Sequence, residues 1–119
     1  MNLDLRGIEN IGDLERERVV VRATQDVDIG DFAIFKCRKS ADGGVASGHV
    51  PDAYWFPDRT IKSGDFVVLY TKKGTASEKK GETGSTTYFY YWGWARSQWS
   101  DHIAALVHTA AWDFWPEPK

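Results

Sequence analysis

A single cysteine, Cys37, in 119 residues leaves no internal disulfide and too few thiols for a Cys-rich zinc site. That usage suits a reducing, cytoplasmic setting. No apolar run exceeds five residues, so no segment is expected to cross a membrane as a helix. The first residues carry Asp4, Arg6, Glu9, Asp13, Glu15, Arg16 and Glu17, and no targeting signal is expected there. An excess of positive charge is missing too. Seventeen acids against fifteen bases give a net charge of -2, which offers nucleic acid no overall attraction.

Catalytic signatures are equally scarce. There is no G-x-S-x-G and no H-E-x-x-H, and His49, His102 and His108 lie scattered along the chain. Asp101 and His102 are neighbours, whose side chains are expected to diverge on a strand. Cys37 falls in an expected strand, where a thiol packs as a small hydrophobe. Neither an enzyme activity, a metal nor a cofactor is expected. Asp26, Asp28 and Asp31 alternate with Val27, Ile29 and Gly30, which suggests oxygen ligands for calcium. The spacing misses the EF-hand pattern, and a turn entering a strand is the simpler reading.

What is present is a chain of one-domain size, with 42% hydrophobic and 27% charged residues, as a folded globule needs. β-rich runs at 18–24, 32–38, 54–56, 66–71, 86–92 and 103–109 are separated by Gly, Asp and Ser. Short strands at this spacing predict an all-β sandwich of about six to eight strands. Its core is expected over 17–115, after a lead-in at 1–16, with a helical turn within 10–17. Period-two positions put Val19, Val21, Phe32, Ile34, Val67, Leu69 and Leu106 inside. Gly64, just before the run at 66–71, is expected in a tight turn with positive φ.

Aromatic residues are abundant: six Trp, five Tyr and six Phe. They concentrate in Tyr88, Phe89, Tyr90, Tyr91, Trp92, Trp94 and Trp99. On a strand, Tyr88, Tyr90 and Trp92 share one face while Phe89 and Tyr91 share the other. One face suits a core and the other a binding platform, unless both are covered. Residues 59–80 carry a net +4. Lys72, Lys73, Lys79 and Lys80 belong to a Gly-, Ser- and Thr-rich loop at 72–86, which is either mobile or a contact surface. Lysines beside rings are one recipe for single-stranded nucleic acid. Glu78 and Glu82 dilute the patch, so a solvated lysine loop competes with that reading.

Three segments resemble the lamin-tail domain, found in nuclear lamins and in many bacterial proteins. The first is Asp28-Ile29-Gly30-Asp31-Phe32-Ala33-Ile34, like the family's short turn and aromatic-bearing strand. The second runs from Tyr54-Trp55-Phe56-Pro57 through Thr60-Ile61-Lys62-Ser63-Gly64-Asp65 to Phe66-Val67-Val68-Leu69-Tyr70, like its "F-P" step, "L-x-x-G" turn and apolar strand. The third is Trp99-Ser100-Asp101-His102-Ile103-Ala104-Ala105-Leu106, like its tryptophan, polar turn and "A-x-L" strand. The glycine-containing hairpin that closes the family domain is missing from His108-Thr109-Ala110-Ala111-Trp112. The resemblance implies a stand-alone immunoglobulin-like sandwich used for attachment, with no catalytic residues. A binding or assembly module, contacting a protein or itself, is therefore the first expectation. A nucleic-acid binder using the 72–86 loop is the alternative, and an unrecognised hydrolase stands last.

Overall fold

Val19, Val21 and Ala23 alternate with Arg18, Val20 and Arg22, so β2 (Arg18–Ala23) turns one apolar face inward. The computed structural model describes residues 1–45, 48 and 51–116. Around β2 it arranges β1 (Leu3–Glu9), β7 (Phe66–Tyr70), β8 (Ser77–Lys80) and β9 (Thr86–Tyr91) into a five-stranded sheet of order β1-β2-β7-β9-β8. A second sheet, β10-β4-β5, holds β4 (Phe32–Cys37) between β5 (Asp52–Trp55) and β10 (Ile103–His108). Two short strands, β3 (Val27–Asp28) and β6 (Thr60–Ile61), pair with each other.

The result is the all-β sandwich expected, with ten strands among the described residues rather than six to eight. Leu3, Val19, Val21, Val67, Leu69, Tyr88 and Tyr90 from the larger sheet meet Phe32 and Ile34 from the smaller one, with Ile29, Phe56, Ile61 and Trp99 closing the core. Leu106 is only partly buried and packs at the margin of this cluster. Pairing is antiparallel except between β7 and β9, which run parallel with Val67 opposite Tyr88 and Leu69 opposite Tyr90.

Two segments differ from the sequence expectation. The lead-in at 1–16 contributes β1, whose Leu3 is buried and which pairs with β2 through a bulge between Leu5 and Gly7. The loop at 72–86 contains β8, a strand exposed along its length and held by backbone pairing to β9. The segment 10–17 does hold a helical turn, Glu17 N donating to Asp13 O at 2.6 Å. Gly64 has φ 91°, as its turn position requires. Its N–H donates to Ala23 O, and the adjacent buried Asp65 carboxylate takes the N–H groups of Lys62 and Thr86.

Candidate binding surfaces

Strand β9 decides the fate of the aromatic cluster. Alternation turns Tyr88 and Tyr90 into the core, and Trp99 is buried in the same cluster. Trp92 packs against that core in a ring cluster with Tyr54, Trp94 and Trp99. Burial pushes the Tyr54 and Tyr90 hydroxyls above the ordinary tyrosine range, which keeps both phenols neutral. The opposite face of β9 is half-buried. There Tyr70 stacks on Tyr91 at 5.3 Å and contacts Phe89 at 6.2 Å, while Arg18 and Lys72 lie over the Tyr70 ring.

The four candidate lysines do not form one patch. Lys72 and Lys73 lie beyond the end of β7 and meet Trp94, Leu14, Glu15 and Ala95 around a cleft of about 330 Å³. Glu15 already pairs with Lys72 at 3.4 Å. Lys80 sits opposite Thr86, at the other end of β9, roughly 17 Å away by strand rise. It lines a larger groove of about 810 Å³ together with Arg6, Arg22, Lys62 and Phe66. Lys79 faces Thr87 on the exposed β8.

Carboxylates in the remaining candidate sites serve local structure. Asp28 Oδ1 accepts the N–H groups of Gly30 and Arg59, and Asp26 Oδ1 accepts that of Ser63, which makes both turn caps. Among the described residues, no group of three or more His, Cys, Asp or Glu stands together as a metal site. Asp101 and His102 do not diverge: they bond at 2.8 Å, because both precede β10 and escape strand alternation. That bond holds the Asp101 carboxyl below its ordinary value. His49 lies outside the described residues.

A surface that sequence patterning misses lies beside β5, the edge strand of the smaller sheet among the described residues. Trp55, on β5, donates its indole N–H to Gly30 O at 2.7 Å, which fixes the ring while leaving it 48% exposed. Trp112 meets it at 5.1 Å with ring planes at 87°, and Phe114 follows at 6.3 Å from Trp112. The chain reaches this point because Thr109 donates both its N–H and its hydroxyl to Asp31 O. The two tryptophans border a cleft of about 380 Å³ whose other walls are Gly30, Asp31, Phe56, Pro57 and Asp58. The available signal in the sequence is Trp112-Asp113-Phe114-Trp115, a ring-rich segment without the alternation that would bury it.

No family model matches the sequence, and no curated protein matches it. Among the described residues, no helix is long and apolar enough to cross a membrane.

Proposed function

We propose that the chain is a non-catalytic, lamin-tail-like binding module that engages a partner protein through the aromatic edge beside β5. One observation carries this reading: Trp55, Trp112, Phe114 and Trp115 are 48%, 62%, 69% and 91% exposed, and Trp112 contacts both Trp55 and Phe114. Large rings gathered on a surface mark interaction sites, and Trp is among the residues that anchor protein interfaces. Among the described residues, β5 is also the edge strand of its sheet, the position at which strand addition occurs. A cytoplasmic setting belongs to the same reading, with Cys37 buried in β4 and burial raising its thiol pKa.

The experiment is affinity capture from nuclease-treated host lysate, comparing wild type with a Trp112→Ala, Trp115→Ala variant of matched thermal stability. A discrete protein set retained by wild type and lost by the variant is expected. An identical set with both proteins overturns the reading. Sedimentation velocity over a concentration series identifies the case in which the partner is a second copy.

The basic groove supports a second reading, the nucleic-acid binder. Arg6, Arg22, Lys62 and Lys80 line it, and Arg22 lies over the Phe66 ring. Its acid, Asp65, is buried and already holds two backbone N–H groups. Binding to single strands is expected to be weak at roughly 0.15 M salt, because few phosphate contacts are available and each adds a slope near -0.7. Sub-micromolar affinity there, lost in Arg22→Ala plus Lys80→Ala, would place this reading first.

A further inference from the structure

We infer that the outer face of the smaller sheet, with the aromatic edge beside it, seats a second copy of this chain; this rests on the binding-module reading above and names its partner. Phe32 and Ile34 of β4 point into the core, so Ala33, Phe35 and Cys37 turn outward. Register sets Val107, Ala105 and Ile103 of β10 beside these three on one flank. On the other flank, Trp55 of β5 stands beside Ala33 and Ala53 beside Phe35. Every outward position of the three strands is therefore apolar. An antiparallel sheet with one solvated face normally alternates apolar with polar residues. The larger sheet does so, presenting Arg18, Arg22 and Lys79 outward. The smaller sheet has the pattern of one covered on both sides. In the single chain that cover is incomplete: Ala53 is exposed, Trp55 is half exposed, and Phe35, Ile103, Ala105 and Val107 are only partly buried.

The chemistry of this face fits its own copy. A two-fold dimer sets one patch against itself, so the patch must be self-complementary. With no charge on the sheet face, two copies meet there without like-charge repulsion and without an ion to strip of water. Homodimer interfaces are more apolar than the surfaces used for transient partners, and interface cores are depleted in charge. Two pleated apolar faces also have a ready mode of contact, the aligned packing of a β-sandwich. The area is sufficient as well. At about 150–250 Å² per large ring, the exposed fractions of Trp55, Trp112, Phe114 and Trp115 amount to about 500 Å² per copy. The sheet face adjoins these rings at Trp55 and adds to that figure, and a stable dimer takes about 600–1,000 Å² from each partner.

Sedimentation velocity of the full chain, from about 1 to about 100 μM, tests the inference. A reversible dimer with a micromolar dissociation constant is expected. Ala53→Lys places a charge at an exposed position of the edge strand, where the fold tolerates it, and should weaken the dimer at least about tenfold. Ser77→Lys places the same charge on the exposed β8 of the larger sheet and should leave the dimer unchanged. With no substitution at all, the methyl NMR signals of Ile103 and Val107 should shift on dilution through the same range. A dimer that Ala53→Lys leaves intact, or that forms while Ile103 and Val107 stay unmoved, overturns the choice of face. Equal weakening by Ser77→Lys overturns it too. A monomer at every concentration overturns the inference itself; lysate capture that still depends on Trp112 and Trp115 then leaves the binding module standing, with a different protein as its partner. A monomer that floats with phosphatidylcholine vesicles, and ceases to do so with Ala53→Lys, gives the face to lipid instead.

Discussion

Thr71 donates its hydroxyl to the Glu17 carboxylate at 2.6 Å, with both side chains buried. Glu17 is fully enclosed, and its two oxygens take three further donors: the N–H groups of Gly12, Gln98 and Trp99. One carboxylate thus ties the turn before β2, the residue after β7 and the segment leading to β10. A charge so deep in the fold is stable only when its hydrogen bonds are supplied in this way.

Glu17→Ala strands those donors and is expected to cost about 3 kcal/mol or more, read as a lower urea midpoint. Thr71→Val keeps the volume, removes one donor and is expected to cost about 1–2 kcal/mol. A cycle built on Glu17→Gln and Thr71→Val should show coupling of about 1 kcal/mol. Strict additivity would mean that the short bond contributes nothing of its own.

Gly64 isolates backbone strain from packing. Its φ is 91°, and a Cβ built there meets nothing within 4 Å. Gly64→Ala is therefore expected to cost about 1 kcal/mol through conformation alone. Unchanged thermal unfolding would show that the turn relaxes to negative φ without penalty.

Strands whose apolar residues alternate, or which are apolar throughout, are legible because burial enforces the pattern. The runs at 18–24, 32–38 and 66–71 match β2, β4 and β7 within a residue at each end. β1 is hidden because its bulge carries Leu5 and Ile8 out of phase, so Leu3, Leu5 and Ile8 fit no single period. β8, Ser77-Glu78-Lys79-Lys80, has no apolar residue at all and exists through its ladder with β9. The inward turn of Tyr88 and Tyr90 follows from β9 lying between β7 and β8, a neighbourhood that local sequence does not encode. The Trp55–Trp112 corner is a long-range contact between an edge strand and an irregular segment. Neither carries a periodic signal that points to the other.

Acid should act through the turn caps. Asp26 lies below the ordinary aspartate pKa, mainly because Ser63 N donates to it, with Lys62 adding a charge 3.6 Å away. A depressed folded value means that stability is present above the unfolded pKa and lost as pH falls through the folded one. Wild type should therefore exceed Asp26→Asn in thermal stability at neutral pH. The difference should shrink below about pH 4, where the unfolded-state aspartate protonates. A gap that stays constant down to pH 3 would exclude the charged cap as its cause.

Lys36 tests whether a nearly buried ammonium earns its place through its partners or through its stem. It is 8% exposed, with Nζ 2.6 Å from Gln98 Oε1, 3.2 Å from Asp52 Oδ2 and 4.5 Å from the centre of the Trp94 ring. Lys36→Met keeps the apolar stem and removes all three interactions. The expected loss is about 1–2 kcal/mol, above the value of an exposed ion pair because the ammonium is desolvated against the ring. Asp52 is half exposed and stays hydrated when its partner is gone, so no buried charge is stranded and the loss should not reach the larger values of broken internal pairs. Lys36→Ala removes the stem as well and should cost about 1 kcal/mol more than Lys36→Met. Raising salt to about 0.5 M should change the Lys36→Met difference little, since a pair with one buried member is poorly screened. Equal urea midpoints for wild type and Lys36→Met would assign the stabilisation to the stem alone.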